Sequence, residues 1–295
     1  MVEIRAIVDC NQVLGEGPVW DVAEQRLYWV DTVKGEIWRC AADGSDVRTW
    51  QVPGEIGSLA LRENGGALLA LDSGLQFFDF ESGILQCIVH PEEGKQGVRF
   101  NDGKADRRGR FIVASLDLLE PAPGAARRGR LFRLDADLSL HELDTGFWIS
   151  NGPCWSPDDK RFYITDSRED AIFAYDWDAE SGAATGRRVF IGVEQGSLPD
   201  GATVDEEGYL WSVACGAENG KGELRRYAPD GTLDRVVAMP TPKPTSMTFG
   251  GPDLDVAYVT SMSIPTNLPD TPMDGKLFAV HGLGVRGLPE PRFGG

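Results

Sequence analysis

Glu16, Asn101, Asn151 and Asp200 each stand five residues before an Asp or Ser, namely Asp21, Asp106, Ser156 and Asp205. Each is followed at once, or one residue later, by a glycine. Ser58 and Thr245 hold the corresponding place in two further copies of the same stretch. Two carboxylates and two amide oxygens make a hard donor set, suited to calcium, magnesium or manganese more than to copper. Zinc is a further candidate, although its usual nitrogen and sulfur donors are missing. Brought together away from water, Glu16 and Asp200 would repel one another, and one divalent cation between them would relieve that repulsion. A cation with an open position polarises a carbonyl and acidifies water, which is the chemistry of hydrolysis. Asn-Gly and Asp-Gly are also ordinary turn formers, but four in one register are more than turn chemistry requires.

Other chemistries find less support. The three histidines, His90, His141 and His281, fall in segments read as outer or third strands of a repeat, away from the four aligned positions. No G-x-S-x-G elbow occurs, so a Ser-His-Asp hydrolase is disfavoured. The glycine runs do not follow the phosphate-cradling pattern, and the Asp-rich turns at Asp43 and Asp253 do not continue into an EF-hand loop. Five cysteines, Cys10, Cys40, Cys87, Cys154 and Cys215, are an odd number without C-x-x-C spacing. Reduced, mostly buried thiols are expected.

The aligned positions need elements to hold them, and a sixfold internal repeat supplies these. Its inner strand is short and dense in small residues, over 15–21, 57–63, 101–106, 151–156, 200–205 and 245–250. An aromatic and β-branched strand follows at 26–31, 67–72, 110–115, 161–166, 209–214 and 256–261. A third strand opens on a small turn residue at Gly35, Gly74, Gly129, Asp170, Gly222 and Gly275. A fourth can be traced at 47–53, 85–91, 139–145, 187–193 and 233–240, but not after the sixth copy. Residues 2–9 are free to complete that sheet, which would close the ring and remove an exposed edge. The expectation is an all-β, six-bladed β-propeller with four-stranded blades, forming a single domain over 1–295. Equivalent positions on its inner strands converge on one end of the central channel. Residues 117–129 separate two strands that elsewhere lie close together, and such a length suits a lid over that end.

Composition narrows the partners. A net charge of −17 over 295 residues repels a phosphate backbone, which argues against nucleic acid. No run reaches the ~18 apolar residues of a membrane span. The first residues lack a basic start and apolar stretch, so a cytoplasmic protein is expected, monomeric or weakly homo-oligomeric.

Five stretches, in order, carry a resemblance. They are Gly15-Glu16-Gly17-Pro18, Arg99-Phe100-Asn101-Asp102-Gly103-Lys104, Ser150-Asn151-Gly152-Pro153, Leu198-Pro199-Asp200-Gly201 and Thr248-Phe249-Gly250-Gly251-Pro252. Together with the Gly284-Val285-Arg286-Gly287 tail they resemble the gluconolactonase, senescence-marker-protein (regucalcin) and luciferin-regenerating-enzyme family. The resemblance implies a six-bladed propeller with one divalent cation, calcium first among the candidates, ligated by Glu16, Asn151 and Asp200. It places Asn101 close by, or in contact through substrate or water. It makes Asp200 the general base, and Arg99 and Asn101 holders of sugar-lactone oxygens. Leu119 stands where regucalcin has a substrate-binding glutamate. Asp117 or Glu120 would then substitute, or the substrate is less hydroxylated. The expected function is metal-dependent opening of a small lactone, a sugar-acid lactone by resemblance. Hydrolysis of other esters or organophosphates at the same site, or a non-catalytic calcium-binding or interaction propeller, are the alternatives.

Overall fold

Runs of aromatic and β-branched residues, cut every few positions by Gly- or Asp-centred turns, fold as antiparallel strands. The computed structural model describes residues 1–119, 126–193, 197–216 and 220–295. An N-terminal strand, β1 (Glu3–Val8), precedes the first blade, formed by β2 (Gly15–Asp21), β3 (Arg26–Asp31), β4 (Glu36–Cys40) and β5 (Arg48–Gln51). The second blade has β6 (Ile56–Leu61), β7 (Ala67–Leu71), β8 (Gly74–Phe78) and β9 (Leu85–Val89). The third has β10 (Val98–Ala105), β11 (Phe111–Asp117), β12 (Gly129–Leu134) and β13 (Leu140–Phe147). The fourth has β14 (Ser150–Trp155), β15 (Arg161–Asp166), β16 (Ala171–Asp178) and β17 (Ala183–Gly192). The fifth has β18 (Leu198–Val204), β19 (Leu210–Gly216), β20 (Lys221–Tyr227) and β21 (Leu233–Ala238). The sixth has β22 (Pro244–Gly250), β23 (Val256–Ser261) and β24 (Leu277–His281), with β1 as its outer strand. Glu3 pairs with His281 and Ile4 with Val280, so the first and last parts of the chain share one sheet as expected. Each inner strand touches the next, and β22 returns to β2. The ring is closed, a six-bladed β-propeller.

The core lies between blades. Trp20 of the first blade stacks on Tyr258 of the sixth with ring centres 5.5 Å apart. Trp211 of the fifth meets Phe249 of the sixth edge-on at 5.9 Å. Both tryptophans are fully buried. Burying such rings contributes roughly 1.5–3 kcal/mol each, and ring contacts of this kind weld neighbouring sheets.

Acids fix both ends of the inner strands. At one end, Asp31 accepts hydrogen bonds from the Val13 and Leu14 N–H groups, and Asp166 from those of Trp148 and Ile149. These hold the approach to β2 and β14. At the other end, Asp106 accepts from Arg108 and Arg110 N–H, and Asp205 from Glu207 and Tyr209 N–H, closing the turns.

Two inner strands begin more than one residue before their expected starts, because Val98 and Leu198 already pair with Asp117 and Cys215 ahead of a break in the ladder. β17 begins at Ala183 instead of 187, since its hairpin turns directly after Asp178. Cys10, Cys40, Cys154 and Cys215 are buried free thiols, and Cys87 is free and exposed. Among the described residues no helix is long and apolar enough to cross a membrane.

Candidate active site

The four aligned residues lie at a shared irregularity. The ladder between inner and second strand breaks after Glu16, Phe100, Asn151 and Pro199, with matching breaks after Ile56 and Pro244. A bulge re-aims side chains that regular alternation would turn away. Gly152 forms one such bulge with φ of 58°, and a Cβ there would stand 2.6 Å from the Ala202 nitrogen. Only glycine serves both the left-handed backbone and the close approach of the fifth blade.

Asn101 and Asn151 meet directly. The Asn101 Nδ2 group donates to Asn151 Oδ1 and to the Ser150 carbonyl, both at 2.7 Å. Asn151 Nδ2 in turn donates to Ser167 Oγ at 2.8 Å. The Asn151 amide oxygen keeps a second lone pair for a further partner. Arg99 Nη1 donates to Asn101 Oδ1 at 3.0 Å, and its Nε is ion-paired with Glu55 at 2.6 Å.

Glu16, Asp200 and Asp102 act on one another through their charges. Burial first, then the charges of Asp200 and Asp102, push the Glu16 carboxyl well above its ordinary range. Burial and Asp102 do the same to Asp200, against a hydrogen bond from the Gly201 N–H. Asp200 Oδ1 is buried without a hydrogen-bond partner. Asp102, with oxygens held by the Gly103 and Gly152 N–H groups at 2.8 and 2.7 Å, is raised by burial as well. An orphaned carboxylate oxygen among mutually repelling acids and amide oxygens fits a hard divalent cation. Among the described residues no three His, Cys, Asp or Glu side chains group as metal ligands, so such a cation would depend on amide oxygen from Asn151.

Residues 14–263 match the family described as SMP-30/Gluconolactonase/LRE-like region. The chain belongs to this family. Among its relatives, 6-deoxy-6-sulfogluconolactonase of Pseudomonas putida is 35% identical over 99% of both chains. Regucalcin of Xenopus laevis is 34% identical over 100% of this chain and 99% of its own. The solved structure of a calcium-binding protein, regucalcin, from Agrobacterium tumefaciens superposes with a TM-score of 0.88 at 26% identity, covering 98% of this chain and 96% of its own.

Leu119 holds the position at which the family resemblance implies a substrate-binding glutamate. The Leu119 side chain is exposed and lies against Gly97, where an added Cβ would come within 2.6 Å of it. Asp117 is buried, and Arg128 grips both its oxygens, at 2.5 and 2.8 Å. Its carboxylate therefore serves this loop-to-strand pair. Glu120 and the middle of the suggested lid, 120–125, lie outside the described residues. Phe147 is fully buried packing, whereas Trp148 is half-buried at the rim between the guanidinium groups of Arg127 and Arg168.

Asp102, Ser167 and Glu55 are participants that sequence reading left unassigned. On a regular strand Asp102 would point opposite to Asn101. The bulge lets both serve the channel, and the glycine after Asp102 is the signal that could have revealed it.

Proposed function

We propose that this protein hydrolyses a sugar lactone at a divalent cation held by Glu16, Asn151 and Asp200. The observation that carries the reading is the buried, unpartnered Asp200 Oδ1 beside Glu16 and Asp102. Relatives named as a sugar-acid lactonase and as regucalcin support it. When bound, the cation supplies Lewis-acid polarisation of the lactone carbonyl.

The chain's own residues do the rest. Asp200 accepts a proton from the attacking water, whose oxygen bonds to the acyl carbon. The ring C–O bond breaks, and the proton returns to the departing ring oxygen. Arg99 orients substrate oxygens through charged N–H donors, and its pairing with Glu55 fixes the guanidinium plane. The Asn101 amide, locked between Arg99 and Asn151, presents a fixed polar edge to the lactone.

A pH-stat assay of chelator-stripped protein against a panel of aldonolactones tests this. Acid release should be negligible without metal and return on adding calcium, manganese or zinc. Cation binding without acid release from any lactone or ester would instead make the protein a calcium-binding or docking propeller.

A further inference from the structure

In a chain of net charge −17, three arginines gather beside the candidate site, on the rim shared by the third and fourth blades. Arg127 and Arg168 place their guanidinium carbons 4.6 and 5.0 Å from the Trp148 ring centre. Arg128 is engaged by Asp117 and by the Gln96 carbonyl, and Arg127 is ion-paired with Glu169. Arg168 differs from both. It is exposed, and among the described residues its side chain makes no hydrogen bond or ion pair, only the ring contact.

Its location connects it to the site. Arg168 follows Ser167, whose hydroxyl accepts the Asn151 amide at 2.8 Å. Trp148 precedes the same strand by two positions, and its backbone is held by Asp166 at 2.7 Å. The indole holds the guanidinium beside a rigid ring face, which lowers the entropy lost when it takes a ligand.

We infer that the lactone opened here carries an anionic substituent away from its carbonyl, and that Arg168 on Trp148 is the residue that receives it. The inference rests on the lactonase reading and adds the substrate's charge. A carboxylate, sulfonate or phosphate on the exocyclic carbon would satisfy the same donor fork. Binding energy from such a remote group raises kcat/KM without touching the chemistry.

The metal-loaded protein is assayed with a neutral aldonolactone and with the same ring bearing carboxylate, sulfonate or phosphate. The anionic lactones should be preferred by about tenfold or more, as expected for one hydrogen-bonded charge pair. The preference should shrink as salt rises. Arg168→Ala should lower the anionic-to-neutral ratio about tenfold, and Arg168→Lys should restore part of it. The relative rates of the three anions identify which group the fork takes. Equal kcat/KM for neutral and anionic lactones, or an Arg168→Ala variant that keeps the wild-type ratio, would overturn the inference while leaving the lactonase reading intact. Absence of hydrolysis of every lactone would bring down both.

Discussion

In the proposed mechanism Asp200 meets two demands that a single carboxylate rarely combines, ligation of a cation and acceptance of a proton. Its raised affinity for protons follows from burial and the nearby Asp102, and a cation would lower that affinity again. Asp200→Asn keeps an oxygen donor in place but removes the base. The variant should retain the wild-type circular dichroism and melting profile while kcat for lactone opening falls at least ~100-fold. Near-normal turnover would remove Asp200 from the mechanism. Much of this residue-scale picture was legible in the sequence, because Glu16, Asn101, Asn151 and Asp200 share one offset from the end of an inner strand. Asp102 was not, since strand alternation assigns it to the opposite face until the bulge is known. The Arg128 grip on Asp117 was illegible for another reason: it depends on the path of a loop that has no periodicity.

Strands and loops set the second scale. Glu92 anchors the loop before β10 to the second and third strands of its blade, accepting hydrogen bonds from Ser115 at 2.8 Å, Arg130 at 2.7 Å and Lys95 at 2.9 Å. Burial opposes its ionisation, yet these donors win and hold the carboxyl below its usual range. A group more acidic in the folded than in the unfolded state stabilises the fold above its unfolded pKa, about 4.3. That contribution is lost as pH falls through the lowered folded value. Glu92→Gln should therefore cost about 2 kcal/mol at pH 7, and the gap to wild type should narrow in melts below pH 4. A constant gap across that range would mean that charge plays no part. Element identities were readable from glycine-opened third strands and small-residue inner strands. Their ends were less so, because β10 and β18 extend past the ladder break and β17 starts directly after its turn.

Closure dominates at the scale of the whole molecule. β1 completes the sixth blade, as the count of outer strands implied. A second clasp was not foreseen, since no strand could be traced after the sixth copy of the repeat. After β24 the chain crosses the far end of the propeller. Gly287 bridges to Asp205, Glu290 pairs with the half-buried Lys104 at 2.8 Å, and Arg292 donates to Asp21 at 2.5 Å. Phe293 is fully buried among side chains of the second and third blades. Composition conceals such a segment because its hydrogen bonds go to separate blades and follow no strand period. Removing residues 288–295 deletes a buried phenylalanine, worth roughly 3–5 kcal/mol, and leaves Lys104 without Glu290. The melting temperature should fall by about 10 °C or more, and an unchanged melt would show the clasp to be dispensable.

The claim beneath all of this is that oxygen atoms from the first, fourth and fifth blades surround one cation. A crystal structure of chelator-stripped protein soaked in manganese, recorded for anomalous scattering, addresses it directly. The account predicts one peak within about 2.0–2.6 Å of oxygens from Glu16, Asn151 and Asp200. No peak at that position, or one bound by other residues alone, would contradict it.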